Sequence, residues 1–344
     1  MRKVTLKDIA QESGVSVTSV SLAMRGSKRV SPDKTKEIRD LADKLGYVRD
    51  PMMSALCSYR DSTRPRNKNA NINFMQFGSS SPALEEAGKV ASDFWRGALY
   101  QTQQLGYSLN TIWAGDPTLN PERLKNILNS RGVSGLIVYE ANCPIVKFES
   151  ILNEFSSVWL GDGPKGASLH SVRLNRFSSM NLVWNHLSQL GYRNGGLIMA
   201  DHSLDQNYGE WEAGHNHFQR KFVGQPHFIP PLTFASKDSC DKAELKRWVE
   251  MWKPQVVIST FRVIYPMLLE LGYSIPEDLG YVSLSTKEGS KVSGIDQQTE
   301  SISQTGVRLL DQLICNRELG IPDHQQIIET NGDWVEGDTL TEQS

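Results

Sequence analysis

The chain has 344 residues, of which 39% are hydrophobic and 22% charged, a composition typical of an ordinary soluble protein with two or three domains. It lacks the run of roughly 18 apolar residues that a membrane span needs, and its start lacks the apolar core of a signal peptide, so we expect a cytoplasmic protein without a membrane partner. Its four cysteines form no CxxC pair, which argues against a disulfide framework and a zinc knuckle.

The net charge of −2 hides an asymmetry along the chain. Residues 1–68 contain 15 Lys and Arg against 8 Asp and Glu, a net charge of +7, so the remaining residues carry −9. A small basic head on an acidic body suits a polyanionic partner. A solvated, charged helical surface gives the same count, so charge alone leaves both interpretations open.

Two short helices separated only by "GVS" are predicted at the start of the chain. Thr5 can cap the first helix, with Asp8 favouring the positive helix end, and Gly14 can end it. Ser16 can cap a second helix over residues 17–25. A helix, a glycine-containing turn and a second helix form the outline of a helix-turn-helix.

A third helix closes this small unit, beginning at Pro32 after the cap Ser31 and ending at Gly46. The second helix then keeps several side chains wholly or partly outward, namely Val17, Thr18, Ser21, Leu22 and Arg25. In a major groove, Thr18 could meet base edges, Val17 and Leu22 could contact thymine methyl groups, and Arg25 could reach a phosphate or a guanine. The alternative is a plain three-helix packing unit.

The stretches "VTLKDIAQESGVSVTSVS", "VSPDKTKEI" and "LGY" resemble, in order and spacing, the head of the lactose-repressor (LacI/GalR) family of transcription regulators. In that family the first two residues of the recognition helix, and an arginine five positions after the first, read the operator. The matching positions here are Val17, Thr18 and Leu22. Because leucine replaces the arginine, the resemblance does not imply the family's consensus operator.

The segment "RDPMMSALCSYRDSTRPRNKN" predicts a short helix from 51 to about 58, capped by Asp50, followed by a linker. The resemblance implies that paired hinge helices of a homodimer enter the minor groove, where Leu56 would wedge between base steps. Packing of Leu56 on the body is the alternative. The candidate DNA-contacting residues are therefore Thr5, Ser16, Val17, Thr18, Ser21, Leu22, Arg25 and Leu56.

From residue 70 onward, strand-like runs alternate with helical patterns, which predicts parallel sheets covered by helices. Strands are predicted at 71–78, 108–114, 133–140, 157–162, 194–201, 226–234, 255–261 and 279–285. Helices are predicted at 93–105, 121–130, 178–190, 211–222 and 241–252, and before Leu271. The expected fold is an all-α helix-turn-helix head plus an α/β two-lobed body. The expected domains are residues 1–49 (DNA binding), 50–69 (hinge helix and linker) and 70–344 (effector binding and dimerisation).

This body resembles a periplasmic sugar-binding protein, the fold that the repressor family uses as its sensor. Ligands of such folds lie between the lobes, at the carboxyl ends of the strands. The candidate effector-binding residues are Ser79, Ser80, Trp95, Asp162, Trp211, Thr260, Phe261, Ser285 and Gln297, and Asp201 also follows a strand.

Three departures from the family affect this pocket. The family's sugar-anchoring arginine aligns with Trp211, its late aspartate aligns with Ser285, and "STF" replaces its "Asn-Asp" pair. The pocket could bind something flatter, with Trp95 or Trp211 stacking on it. A sugar held by other groups, or no ligand at all, are the alternatives.

No catalytic motif is found in the sequence, so we expect neither an enzyme nor a cofactor. His215 and His217 are two positions apart and cannot chelate a metal from one helix, and "GDGPKG" lacks the ending of a phosphate loop. The sequence predicts a transcription regulator, and the resemblance implies a repressor. We expect it to bind double-stranded operator DNA as a homodimer. A small-molecule effector, with a carbohydrate as the candidate, would control this binding. The alternatives are a soluble solute-binding or carbohydrate-handling protein whose head is an assembly module, and an effector-free architectural repressor.

Overall fold

In the computed structural model the chain begins with a three-helix head. The structure describes residues 4–24, 30–47, 70–77, 89–116, 118–139, 148–163, 168–201, 209–224 and 228–343. The head helices are α1 (Leu6–Ser13), α2 (Val17–Met24) and α3 (Pro32–Leu45). They share a core of their own, formed by Ile9, Ala10, Val20, Ala23, Ile38 and Ala42.

The body contains two six-stranded sheets. Sheet A has the order β11-β5-β4-β3-β1-β2, and all its strands are parallel. Its strands are β1 (Asn71–Gln76), β2 (Ser108–Trp113), β3 (Val133–Tyr139), β4 (Ser156–Leu160), β5 (His170–Leu174) and β11 (Ile327–Thr330). We call this sheet and the helices packed on it lobe A.

Sheet B has the order β12-β10-β9-β8-β6-β7, and only β12 runs antiparallel to its neighbour. Its strands are β6 (Gly195–Ala200), β7 (Leu232–Phe234), β8 (Val256–Ser259), β9 (Gly280–Thr286), β10 (Gly294–Asp296) and β12 (Asp333–Val335). This sheet and its helices form lobe B. The two-lobed α/β fold predicted from the sequence is confirmed.

Eight helices of the described ranges cover the two sheets. They are α4 (Lys89–Gln104), α5 (Pro121–Ser130), α6 (Glu149–Leu152), α7 (Arg176–Gln189), α8 (Glu210–Val223), α9 (Lys242–Trp252), α10 (Ile264–Glu270) and α11 (Thr299–Asn316). Within the described ranges, no helix is long and apolar enough to cross a membrane. The predicted strand at 226–234 is too long, because only Leu232–Phe234 pairs with β6. Pro230 and Pro231 precede it, and proline has no amide hydrogen to donate to a strand ladder.

The chain passes between the lobes three times. It leaves sheet A after β5 and enters lobe B at α7, which packs on α8, β10 and β12. It returns after β10, because α11 packs on α4 and on strands β3, β4 and β5. It crosses a third time between β11 and β12. The crossing segments are therefore residue 175, residues 297–298 and residues 331–332, and they join the lobes at the edge of the cleft between them.

Candidate nucleic-acid interface and inter-lobe cleft

A reciprocal cap fixes the start of helix α1. The Thr5 hydroxyl accepts a hydrogen bond from the Asp8 amide at 3.4 Å, and the Asp8 carboxylate accepts from the Thr5 amide at 2.8 Å and from its hydroxyl at 2.7 Å. Gly14 ends the helix at φ 66°, a backbone conformation that side chains rarely adopt. Thr5 is exposed, and in this structure its hydroxyl oxygen is used in the cap of α1.

Helix α2 begins at a second cap, because the Ser16 hydroxyl accepts from the Ser19 amide at 3.0 Å. Its inner face carries Val20 and Ala23, both fully buried against α1 and α3. The opposite face therefore points to solvent within this chain, with Val17 43% exposed and Thr18 also exposed. This exposed face presents an isopropyl group beside a hydroxyl group, as a groove-reading surface requires.

The other predicted DNA-contacting residues differ in exposure, and two of them lie outside the described residues. Ser16 is exposed, whereas Ser21 and Leu22 are half-buried on α2. Arg25 and Leu56 lie outside the described residues, as does the whole predicted hinge helix.

The predicted effector-binding residues are only partly brought together. Ser79 and Ser80 lie outside the described residues. Trp95 is half-buried on α4 and meets the ring of Phe74 edge-on, at 5.7 Å between centroids. Trp211 is 3% exposed and packs among the buried side chains of the body core. Position 211 follows the first residue of α8, where the inward face of the helix is covered by core side chains.

Four predicted residues lie at the carboxyl end of sheet B, namely Thr260, Phe261, Ser285 and Gln297. Gln297 donates its side-chain amide to the Leu284 carbonyl at 2.7 Å, and the Phe261 carbonyl accepts from the Tyr281 hydroxyl at 3.1 Å. The Ser285 carbonyl accepts from Arg262 Nε at 2.7 Å. Arg262 and Ser285 line a pocket of about 330 Å³ with hydroxyl groups from Tyr265, Tyr281 and Ser283.

Eight buried side-chain atoms have no hydrogen-bond partner in the part of the chain that the structure describes, and two of them lie at the carboxyl ends of parallel strands on the two sides of the cleft. One is Nε2 of Gln76, at the carboxyl end of β1 in lobe A, and the other is Oγ1 of Thr260, directly after β8 in lobe B. Buried polar atoms are nearly always paired with protein, water or ligand. Thr260 is predicted from the sequence, whereas Gln76 is missed, because a glutamine inside an apolar strand gives no local signal of function.

Asp162, another predicted residue, belongs to a network that we call the arginine cluster. Its five members come from distant parts of the chain and are Asp162, Arg173, Arg176, Glu210 and Glu329. Arg173 Nη2 lies 2.7 Å from Glu210 and 2.6 Å from Glu329, and Arg176 pairs with Asp162. Burial opposes the charge of Arg173, but the hydrogen bond to Glu329 and the charges of Glu210 and Asp162 outweigh it and raise the pKa of the guanidinium.

A second network, the Lys287 cluster, also joins the lobes. Its members are Asp93, Arg96, Lys287, Asp296 and Glu300. Lys287 Nζ, directly after β9, lies 3.0 Å from Asp93 of α4 and 3.5 Å from Asp296 of β10. Asp93 is 1% exposed and also pairs with Arg96, whose guanidinium reaches Glu300 at 2.8 Å. No group of three or more His, Cys, Asp or Glu among the described residues could hold a metal ion.

Comparison with known proteins identifies the head. Residues 5–50 match the family model described as bacterial regulatory proteins, lacI family. The maltose regulon regulatory protein MalI of Vibrio furnissii is 28% identical over 134 residues, which cover 39% of this chain and 87% of that protein. Residues 5–50 therefore form a DNA-binding head of the lacI family. The chain is a DNA-binding transcription regulator and not an enzyme.

Solved structures of lacI-family proteins share the fold of the whole chain. The transcriptional regulator CelR in complex with cellobiose matches with a TM-score of 0.62 and 17% identity, over 98% of this chain and 100% of that chain. The lac repressor dimer bound to operator and the anti-inducer ONPF matches with a TM-score of 0.61 and 18% identity, over 99% of this chain and 100% of that chain. At these identities the likeness establishes the two-lobed body behind a helical head.

Proposed function

We propose that this lacI-family regulator is a repressor that binds a near-palindromic operator as a homodimer and responds to a small neutral effector of the carbohydrate class. Residues 1–49 would read the DNA, residues 50–69 would form the hinge and linker, and residues 70–344 would bind the effector and dimerise. The observation that carries the proposal is the outward face of α2, where Val17 and Thr18 are exposed over a packed inner face.

The head is built to hold α2 rigidly. The Ser16 cap and the buried pair Val20 and Ala23 fix its start and its rotation, so the side chains on its outer face are preorganised. The net charge of +7 on residues 1–68 supplies the attraction to phosphates that positions such a helix on a duplex. The match to the lac repressor dimer, bound to its operator, supports a dimer with two such heads.

The cleft supports an uncharged, hydrogen-bonding effector. Nε2 of Gln76 and Oγ1 of Thr260, which have no hydrogen-bond partner among the described residues, come from opposite lobes, and the half-buried Trp95 supplies aromatic surface on the lobe A side. Such groups suit the hydroxyl groups and flat faces of sugars. The CelR structure contains cellobiose, a ligand of this chemistry. Asp162, Trp211, Phe261, Ser285 and Gln297, with Ser79 and Ser80, remain predicted contacts for an effector.

Regulation would follow from a shift between two arrangements of the lobes. A change in lobe closure alters the spacing of the two heads, and with it the stability of the hinge helices that would place Leu56 in the minor groove. A tenfold change in operator affinity requires a coupling free energy of about 1.4 kcal/mol, which lies within the usual range for allosteric proteins.

Fluorescence anisotropy with labelled genomic DNA fragments, read at several salt concentrations, tests the DNA-binding part. We expect sub-micromolar, sequence-selective binding, and a loss of about tenfold or more for Thr18→Ala, since a good base contact is worth about 1–3 kcal/mol. Asp40→Ala, at an exposed position of α3, is the control that should keep wild-type affinity. Uniformly weak binding to all fragments would instead favour a solute-binding protein.

A further inference from the structure

Both ionic clusters lie beside the segments where the chain crosses between lobes. Arg173 and Arg176 flank the first crossing at residue 175, and Glu329 lies just before the third crossing. Asp296 and Glu300 flank the second crossing, at residues 297–298. The crossings are also bonded to each other, because the Asn175 amide donates to the Thr330 carbonyl at 2.8 Å. Any rotation of one lobe against the other must bend these segments.

The arginine cluster joins the lobes through four charges of alternating sign. Lobe A contributes Asp162 and Arg173, and lobe B contributes Arg176 and Glu210. Arg173 pairs with Glu210 across the lobes at 2.7 Å, and Arg176 pairs with Asp162 in the opposite sense. The two remaining pairs lie at 3.4 Å each, Arg173 with Asp162 inside lobe A and Arg176 with Glu210 inside lobe B. The four side chains therefore form a closed ring of ion pairs.

These four side chains are largely removed from water. Their side chains are between 11% and 21% exposed, so salt and solvent screen the pairs less than they screen surface pairs. Each guanidinium already faces two or three carboxylate partners, which leaves neither arginine in need of a ligand. The Lys287 cluster repeats the pattern at the second crossing, where Lys287 of lobe B meets the 1% exposed Asp93 of lobe A.

We propose that the arginine cluster and the Lys287 cluster lock the two lobes together without any ligand. This inference rests on the proposed function at one point only. An effector would bind to a body whose two lobes are already held together. The chain's own charges thus take the place that a bridging ligand holds in a two-lobed binding protein, and the closed arrangement becomes the resting state.

Hydrogen–deuterium exchange of the full chain, without DNA or effector, tests the lock. The Asn175 amide reports on the first and third crossings, and the Gln298 amide, which donates to Asp296 at 2.9 Å, reports on the second. We expect Glu210→Gln to speed exchange at Asn175 about tenfold or more, because opening exposes that amide. Lys287→Met should do the same at Gln298.

Matched controls are available beside each variant. Glu212→Gln removes the same charge from the same first turn of α8, and Lys291→Met removes a lysine from the loop after β9; neither side chain forms an ion pair with another described residue. Both controls should exchange as the wild type does. Unchanged exchange rates in Glu210→Gln and Lys287→Met would refute the proposal that the clusters hold the lobes together. A uniform rise in exchange rates that includes β8 would also refute it, because that result means a general loss of fold stability. Operator affinity is measured separately, so failure of DNA binding leaves this result unaffected.

Discussion

A buried histidine about one helical turn after Trp211 leads to a quantitative prediction about stability. His215 of α8 is 2% exposed, and its Nδ1 accepts a hydrogen bond from Trp184 Nε1 at 3.3 Å. The accepting nitrogen must be unprotonated. Burial lowers the pKa of His215 to about 4, although a hydrogen bond with the backbone of Gly195 opposes the change.

The sign follows from the two protonation states. In the unfolded chain the histidine protonates below its ordinary pKa of about 6.5, whereas in the folded chain it stays neutral down to pH 4. The unfolded state therefore binds more protons between these values, and the free energy of unfolding falls as the pH falls. Between pH 7.5 and 5.0 the loss is about 2 kcal/mol, and it reaches about 3 kcal/mol below pH 4, at 1.36 kcal/mol per pKa unit.

Urea unfolding at pH 7.5 and pH 5.0, followed by tryptophan fluorescence and circular dichroism, measures this loss. His215→Asn keeps an acceptor near Trp184 but cannot titrate, so its free energy of unfolding should fall by about 2 kcal/mol less than that of the wild type. His217→Asn, at an exposed position of the same helix, is the control and should follow the wild type. Equal losses in the wild type and His215→Asn would refute the reasoning.

Three further predictions concern the head and lobe B. Thr5→Ala removes the cap of α1 and should lower the stability of the head by about 1 kcal/mol, measured by thermal unfolding; an unchanged midpoint would contradict a structural role for the cap. Val17→Asp should abolish operator binding in anisotropy without changing the urea midpoint, since the side chain is exposed and the new charge repels phosphate; retained affinity would remove α2 from the interface. Gly196→Ala should destabilise lobe B by about 1–3 kcal/mol in urea unfolding, because a Cβ there would overlap the buried Trp248 ring; wild-type stability would show that the ring can move away.

The head is largely predictable from the sequence because its determinants are local. The caps at Thr5, Ser16 and Ser31 act on amides three residues away, and Gly14 and Gly46 both adopt positive φ at helix ends. A pattern of this kind needs no knowledge of distant contacts, so the helix bounds and the outward face of α2 follow from the order of the residues alone.

The body is predictable as an alternation of strands and helices but not in its later elements. Helix α11, with 18 residues, is absent from the sequence prediction. Its first turn follows Gln298, which has a φ of 54° and provides no side-chain cap, so the usual start signal is missing. The return of β11 to sheet A depends on its pairing with β5 across more than 150 residues, which no local pattern encodes.

The cleft is the least predictable part, because its chemistry comes from residues far apart in the chain. Asp162 is identifiable from its place after β4, but the other members of the arginine cluster, at 173, 176, 210 and 329, come from four other elements. The placement of Trp211 follows the same logic, since whether an inward aromatic faces a ligand or a core depends on what the opposite lobe places against it.

The charges of the cleft also bear on which effector it could accept. The resemblance places Trp211 and Ser285 where relatives carry an arginine and an aspartate, and in this chain Trp211 is buried and the Ser285 carbonyl is bonded to Arg262. In the arginine cluster, two guanidinium groups face three carboxylates. An anionic effector arriving there would meet arginines that already have carboxylate partners and an excess of negative charge. Electrostatics therefore favours a neutral ligand that uses hydrogen-bonding atoms without a partner among the described residues, such as Nε2 of Gln76. The same ionic groups that would hold the lobes together would therefore also restrict which effectors can enter.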